Sequence, residues 1–334
     1  MATSETLVCL GIESTADNLG IGIATSDGSI IANQISTHVP EEGGIHPREA
    51  ARHHAEQMGS TISKALEKAG VGARDIDLIA FSQGPGLGPC LRTGATAARA
   101  LSAYLKTPLV GVNHCVAHIE IGRHLTGLED PLTLYVSGGN TIVAGFEAGR
   151  YRVYGETIDI AVGNCLDTFA REAGLPYPGG PAVEKQAMGG EKLIDLPYVV
   201  KGMDLSFSGL LTAVVHEFRA GRNRLEDICY SLQEVTYSML GEVTERALAH
   251  TGKKELLLTG GVAANKRLRS IIGSIAEEHC AKAKYVPVGY ATDNGAMIAW
   301  TGIISYLNGV RTPIESSHID SRWRLDTVEI PWRA

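Results

Sequence analysis

Three short runs near the start of the chain, over residues 7–12, 21–25 and 30–36, alternate apolar with polar or small positions. Their period of two and β-branched content predict strands, with a turn over 17–20 and an Asp27-Gly28 hairpin signal. A helical period follows over about 48–69, with Pro47 at its first position, where a missing N–H is harmless. Then come a short apolar run over 76–81, a glycine-rich loop and a helix over about 92–105. The succession returns downstream. Strands over 132–136, 141–147 and 151–156 flank turns at Ser137-Gly138-Gly139-Asn140 and Gly149; a helix over about 225–251, a strand over 255–259, another glycine loop and a helix over 265–278 complete it. Two copies of one strand–strand–strand–helix–strand–loop–helix order predict a duplicated α/β fold with mixed sheets. We expect two domains, 1–129 and 130–334, the second with a helical insertion around 160–225, and a ligand cleft between them.

Composition agrees and narrows the field. The 334 residues are 44% hydrophobic and 20% charged, which is globular and long enough for two domains of ordinary size. The first residues carry no basic stretch followed by an apolar run, so no signal peptide is expected, and no stretch reaches the length of a membrane span. Cys9, Cys90, Cys115, Cys165, Cys229 and Cys280 lie apart without a C-x-x-C pair, reading as reduced thiols of a cytoplasmic protein. A net charge of −7 argues against a chain that grips nucleic acid unaided.

The pentapeptide His114-Cys115-Val116-Ala117-His118 carries the densest chemistry. If helical, it stacks two imidazoles on one face, close enough to share a metal ion, although such a pair equally describes core or surface histidines. It looks like the protease signature H-E-x-x-H, but Cys115 stands where that signature places its general base. Three glycine or small-residue turns follow strands: 13–20, Ser137 to Thr141, and Gly260 to Asn265. Glycines there let the backbone approach anionic oxygens, but no P-loop and no G-x-G-x-x-G is present. Each alone reads as a plain turn; three at equivalent points of a duplication point to a nucleotide.

The arrangement of two hairpins and a late Thr259-Gly260-Gly261 loop is similar to the actin, sugar-kinase and Hsp70 superfamily, an RNase H-like fold. Narrower strings resemble the tRNA threonylcarbamoyladenosine transferase family, which supplies the catalytic subunit of the KEOPS complex. They include Gly11-Ile12-Glu13-Ser14-Thr15, Gly84-Pro85-Gly86-Leu87-Gly88-Pro89, Val112-Asn113-His114 through His118, Tyr135-Val136-Ser137-Gly138-Gly139-Asn140-Thr141, Tyr177-Pro178-Gly179-Gly180-Pro181, Thr259 to Asn265 and Ala291-Thr292-Asp293-Asn294-Gly295. The resemblance runs from about residue 7 to 310, and Ala117 to Arg123 looks like the archaeal and eukaryotic branch.

That resemblance implies a metal-assisted transfer of the threonylcarbamoyl group from threonylcarbamoyl-AMP to N6 of the adenosine beside the anticodon of ANN-decoding tRNAs. It implies one Fe²⁺ per subunit, with Zn²⁺ as the alternative, held by His114, His118, Asp293 and the phenol of Tyr135. Two imidazoles and a carboxylate suit either ion. Asp293 also reads as the N-cap of the apolar helix that follows it. For the adenylate, ATP or AMP, the resemblance implies Tyr135, Val136, Ser137, Gly138 and Gly139 near the phosphate, Asp167 and Glu184 on the ribose, with Gly180 and Asn265 alongside. No residue stands out as the base for the N6 amine. The implied partners are tRNA, a small kinase-like subunit and a small dimerising subunit, with no membrane.

Other readings stay open on residues alone: a small-molecule kinase of the same superfamily, an ATP-binding scaffold, or a metalloprotease. The segment Gly43 to His54, with His46, His53 and His54, fits a cleft-lining or capping role better than a second metal site. Arg219, Arg222, Arg224, Lys253, Lys254, Lys266, Arg267 and Arg269 are the local basic groups, either solvated helix faces or phosphate contacts.

Overall fold

The first alternating runs form a meander, β1 (Val8–Glu13), β2 (Asn18–Thr25) and β3 (Ile30–Thr37), in a computed structural model that describes residues 6–40 and 44–333. Helix α1 (Pro47–Ala69) opens with proline at its first turn and closes on Gly70 in the left-handed conformation. Strand β4 (Leu78–Gly84), helix α2 (Gly88–Leu105), strand β5 (Leu109–Asn113) and helix α3 (His114–Thr126) follow. The sheet order is β3-β2-β1-β4-β5; the meander pairs antiparallel, and β1–β4 and β4–β5 pair parallel.

The second sheet repeats this plan. Strands β6 (Leu132–Val136), β7 (Thr141–Glu147) and β8 (Arg150–Glu156) form its meander. Helices α4 (Val162–Glu172) and α5 (Gly179–Ala187), a small hairpin of β9 (Val200–Lys201) and β10 (Asp204–Leu205), and α6 (Ser208–Ala220) occupy the region expected to hold a helical insertion. Helix α7 (Leu225–Thr251), β11 (Glu255–Thr259), α8 (Lys266–Glu278) and β12 (Lys282–Tyr285) complete the copy, followed by α9 (Val288–Ala291) and α10 (Gly295–Leu307). The order β12-β11-β6-β7-β8 matches the first sheet strand for strand, with β6–β11 and β11–β12 parallel. The duplicated α/β plan is therefore present. Strands β5 and β12 were not anticipated; at five and four residues, with a glycine in one and two lysines in the other, they carry little periodic signal.

The chain divides into two units in a way the linear boundary at 129/130 misses. One unit holds the chain up to His124 together with Glu147–Tyr151 and Asp293–Ala334; the other holds Leu125–Phe146 and Arg152–Thr292. Each has its own apolar core, one around Ile12, Ile21, Phe81 and Ala95, the other around Leu134, Phe169, Leu240 and Ile272. Residues 293–334 join the first unit because α10 lies directly on its sheet. A Cβ at Gly11 would stand 2.2 Å from the Ala299 nitrogen, and one at Gly22 would stand 2.1 Å from that of Ala296. Only glycine at these two strand positions lets a helix backbone come this close. The residues ahead of α10 are thereby carried to the end of β1.

Candidate metal and nucleotide sites

Strand β5 passes into α3 with no intervening loop. Asn113 ends the strand and caps the helix, its Oδ1 accepting from the N–H groups of Cys115 (3.0 Å) and Val116 (3.1 Å). The helix that the sequence made conditional is real, and His114 and His118 stack on one face with ring centroids 4.7 Å apart. Both are buried. Asp293 meets them from just ahead of α10: its Oδ1 lies 3.0 Å from His118 Nε2 and 3.5 Å from His114 Nε2. One donor atom from each of the three falls within 4.8 Å of the others, the one such group of His, Cys, Asp or Glu among the described residues. The expected capping role of Asp293 belongs instead to its neighbour: Asn294 accepts from Met297 N–H at 3.0 Å, leaving the Asp293 carboxylate to face the imidazoles.

The turn after β1 supplies a second layer of contacts. Glu13 Oε2 accepts from His114 Nδ1 at 3.0 Å, and Glu13 Oε1 accepts from Thr15 N–H at 2.7 Å. Thr15 Oγ1 lies 3.5 Å from Asp293 Oδ2 and 3.4 Å from His114 Nδ1. Burial opposes a charge on His114, but the Glu13 and Asp293 carboxylates outweigh it and lift its pKa to about 9. Burial lowers that of His118, only partly offset by Asp293. Burial also works against the Asp293 carboxylate, yet the two imidazoles hold it below its ordinary range. Borderline nitrogen donors, one carboxylate oxygen, close spacing and a shielded pocket fit a divalent ion of the Fe²⁺ or Zn²⁺ kind. Cys115 is buried and burial pushes its thiol up to about 12, so this thiol does not take the place of a metalloprotease's general base.

Tyr135 is the penultimate residue of β6 in the other unit, buried, its phenol oxygen accepting from Asn140 Nδ2 at 3.3 Å. Val136 follows it in the strand, and Ser137 closes the turn: its N–H donates to the Asn140 carbonyl and its Oγ accepts from Asn140 N–H. Gly138 and Gly139 are exposed, and a Cβ at either would meet nothing within 4 Å. Neither adopts a positive φ, so the backbone does not demand glycine there; open space does the distinguishing. Gly260 contrasts with them, at φ +95 and with its Cβ direction 2.1 Å from the Val136 carbonyl.

Asp167 on α4 accepts from Gly179 N–H at 2.7 Å, joining it to the start of α5 beside Gly180; burial nevertheless raises its pKa. Glu184 on α5 accepts from Lys266 N–H at 2.9 Å. Asn265 caps α8 through Arg267 and Leu268 N–H, and its amide nitrogen donates to Gln233 Oε1, so its polar ends are engaged within the protein. Glu184, Met188, Tyr230, Gln233 and Lys266 line a groove of about 450 Å³, of which the sequence points to Glu184 and, among the basic groups, Lys266.

The segment expected from Gly43 onward is described from Gly44; Gly43 itself lies outside the described residues. His46 holds the N-cap position of α1 by its backbone, without a side-chain cap. His54 Nε2 donates to the Ala16 carbonyl at 3.0 Å, binding α1 to the β1–β2 turn. Among the basic groups, Arg219 pairs with Glu172, Arg222 with Glu217, Arg224 with Glu226, Lys253 with Asp130 and Arg267 with Glu234. Arg269 donates to the Ala263 carbonyl and lies over Tyr285.

Two five-stranded mixed sheets in matching order, each flanked by helices, define an α/β protein of the actin, sugar-kinase and Hsp70 fold. Among solved structures the chain is similar to HypF of T. kodakarensis, with TM-score 0.64 and 15% identity, covering 91% of this chain and 48% of that one. It is also similar to component A of the Acidaminococcus fermentans (R)-2-hydroxyglutaryl-CoA dehydratase, with TM-score 0.57 and 16% identity over 90% and 98% of the two chains. These likenesses carry the fold alone. Residues 28–300 match the model of the TsaD family, tRNA N6-adenosine threonylcarbamoyltransferase. The chain is 56% identical over 328 residues to the protein of that name from Thermofilum pendens, covering 98% of each, and 56% identical over 326 residues to that from Thermococcus kodakarensis. It shows the same identity to the probable bifunctional tRNA threonylcarbamoyladenosine biosynthesis protein of Methanocaldococcus jannaschii, matching 60% of its length. The chain belongs to this family of tRNA threonylcarbamoyltransferases. Among the described residues no helix is long and apolar enough to cross a membrane.

Proposed function

We propose that the chain moves the threonylcarbamoyl group from threonylcarbamoyl-AMP to N6 of the adenosine beside the anticodon of ANN-decoding tRNAs. The observation that carries this reading is the convergence of His114, His118 and Asp293 from two distant parts of one unit. Those three residues would hold the metal, Fe²⁺ or Zn²⁺, with the phenol of Tyr135 as the further ligand that membership of the family suggests. An ion bound there would supply Lewis-acid polarisation of the carbamoyl carbonyl. Gly138 and Gly139 leave backbone exposed to the adenylate phosphate, and the carboxylates of Asp167 and Glu184 suit ribose hydroxyls. The N6 nitrogen attacks the carbamoyl carbon, the bond to the phosphate oxygen breaks, AMP leaves, and N6 gives up one proton to a base that no side chain here is assigned.

The reaction proceeds in the cytoplasm within a KEOPS-type complex, with a small kinase-like subunit and a small dimerising subunit. The ion pairs that occupy Arg219, Arg222, Arg224, Lys253 and Arg267 favour shared tRNA binding, because these cations are already matched by acids. Incubation with threonylcarbamoyl-AMP, an ANN-decoding tRNA transcript and the two partners, followed by nucleoside mass spectrometry, tests the proposal. Formation of N6-threonylcarbamoyladenosine that disappears in His118→Ala supports it. Transfer of phosphate from ATP to a sugar or acetate, with no tRNA product, overturns it in favour of a kinase.

A further inference from the structure

We infer that Glu13 is a positioning residue of the metal site, holding His114 in the tautomer and orientation that a metal requires. The inference rests on His114 being a ligand, and it adds a residue outside the ligand set. Glu13 is the last residue of β1 and is 0% exposed. A buried carboxylate is unfavourable unless its oxygens find donors, and packing alone would be served by an apolar side chain. Both oxygens of Glu13 have donors. Oε1 is fixed by Thr15 N–H at 2.7 Å, so the carboxylate cannot swing; Oε2 takes the hydrogen of His114 Nδ1 at 3.0 Å.

The consequence for the imidazole is geometric. A carboxylate oxygen accepts, so Nδ1 must carry the hydrogen, and the lone pair of the neutral ring falls on Nε2. Nε2 is the atom that faces Asp293 Oδ1, at 3.5 Å, on the side where His118 Nε2 also points, 3.0 Å from the same oxygen. A carboxylate behind a metal-binding histidine both fixes the ring and raises its donor strength, and its removal ordinarily weakens metal affinity about 10- to 100-fold. Thr15 Oγ1 also reaches His114 Nδ1, but from farther off, at 3.4 Å. The β1–β2 turn thus orients a ligand that sits a hundred residues later in the chain.

The test uses the full chain stripped of metal and titrated with Co²⁺, whose visible absorption reports the site. Folding of each variant is first checked by circular dichroism. Glu13→Ala should bind Co²⁺ about 10- to 100-fold more weakly. Glu13→Gln, which keeps one acceptor oxygen but cannot satisfy both donors, should recover part of the loss. Nitrogen-15 spectra of the Zn²⁺-loaded protein should show His114 protonated at Nδ1 in the parent chain and lose that signature in Glu13→Ala. Affinities within twofold of the parent in both variants, with the Nδ1 signature kept, overturn the inference. Where Glu13→Ala does not fold, Glu13→Gln decides by the same twofold criterion. His114→Ala is the control: if it binds Co²⁺ as the parent does, the ligand assignment fails; if it alone loses binding, only the role of Glu13 fails.

Discussion

The turns after β1 and after β6 occupy the same point of the two copies and have become opposites. The first is filled: Glu13, Ser14 and Thr15 are buried, and polar atoms of Glu13 and Thr15 reach His114 and Asp293. The second is bare, with Gly138 and Gly139 exposed and nothing within 4 Å of where a side chain would stand. A duplicated fold presents equivalent loops twice, and here one copy packs its loop against His114 and Asp293 while the other leaves its loop clear of protein. Glycine content alone does not separate the two uses. What separates them is whether the missing Cβ would meet protein.

The strongest way to break the comparison is at the filled site. His118→Ala removes one of three ligand atoms, and we expect bound iron or zinc to fall to background with loss of tRNA modification, measured by metal analysis and nucleoside mass spectrometry. His118 is wholly buried, so the melting temperature of the metal-free variant must be followed beside the metal content. Retained stoichiometric metal in a folded His118→Ala protein removes the basis for the site.

The two kinds of glycine give the next contrasts. Gly11→Ala drives a methyl group against the Ala299 nitrogen, and we expect about 1–3 kcal/mol or more of destabilisation in urea melts, with weaker Co²⁺ uptake because Asp293 rides on the displaced helix. Gly138→Val has open space around it and no positive φ, so stability should stay within about 0.5 kcal/mol of the parent. Its effect should fall on AMP or ATP, with affinity lowered about tenfold or more in calorimetry, a difference of about 1.4 kcal/mol. Unchanged nucleotide affinity in a folded Gly138→Val protein shows that the bare loop faces no phosphate.

How far these features can be read from the sequence follows from their range. Helix α7 and strands β6, β7 and β11 match their periodic runs to the residue, because each is long or bounded by strong turn signals. The pair His114 and His118 was visible from i, i+4 spacing alone. Asp293 was legible only through the family resemblance, since it lies 175 positions from His118 and meets it through the packing of glycines at positions 11 and 22 against α10. For the same reason Asp293–Ala334 group with the first unit, a long-range association that a linear division at 129/130 does not express. Cap assignment erred by one residue because Asp293 and Asn294 are equally good cap formers, and only the structure shows which side chain turns back to Met297. Glu13 gave one overlooked signal: an acid at the end of an otherwise apolar strand.

Acidity supplies a further test with opposite signs. The His114 pKa is raised from 6.5 to about 9, so in metal-free protein its charged form stabilises the fold fully below pH 6.5. That contribution is lost as pH rises through 9. A metal needs the Nε2 lone pair, so Co²⁺ affinity should climb over the same window. Melting temperature of the metal-free chain falling while metal affinity rises, between pH 6.5 and 9, is the expected pattern. Parallel trends mean that some other group governs the site.

The smallest expected effect lies on the basic helices. Net charge is −7, and five of the eight cations singled out there already pair with carboxylates, for example Arg267 with Glu234 at 2.7 Å and Lys253 with Asp130 at 2.6 Å. Each phosphate neutralised contributes a slope of about −0.9 to the dependence of log affinity on log salt. A cation that must leave a carboxylate to reach a phosphate gains little, since surface pairs are worth roughly 0–1 kcal/mol and screening weakens both alternatives. For the isolated chain we therefore expect weak tRNA binding with a slope shallower than about −3. Arg219→Ala and Arg267→Ala should each change the affinity by less than about twofold, a few tenths of a kcal/mol. Addition of the two partner subunits should steepen the slope and tighten binding. A slope steeper than about −6 for the chain alone, lost stepwise in those two variants, means that the acids release their partners to the tRNA backbone.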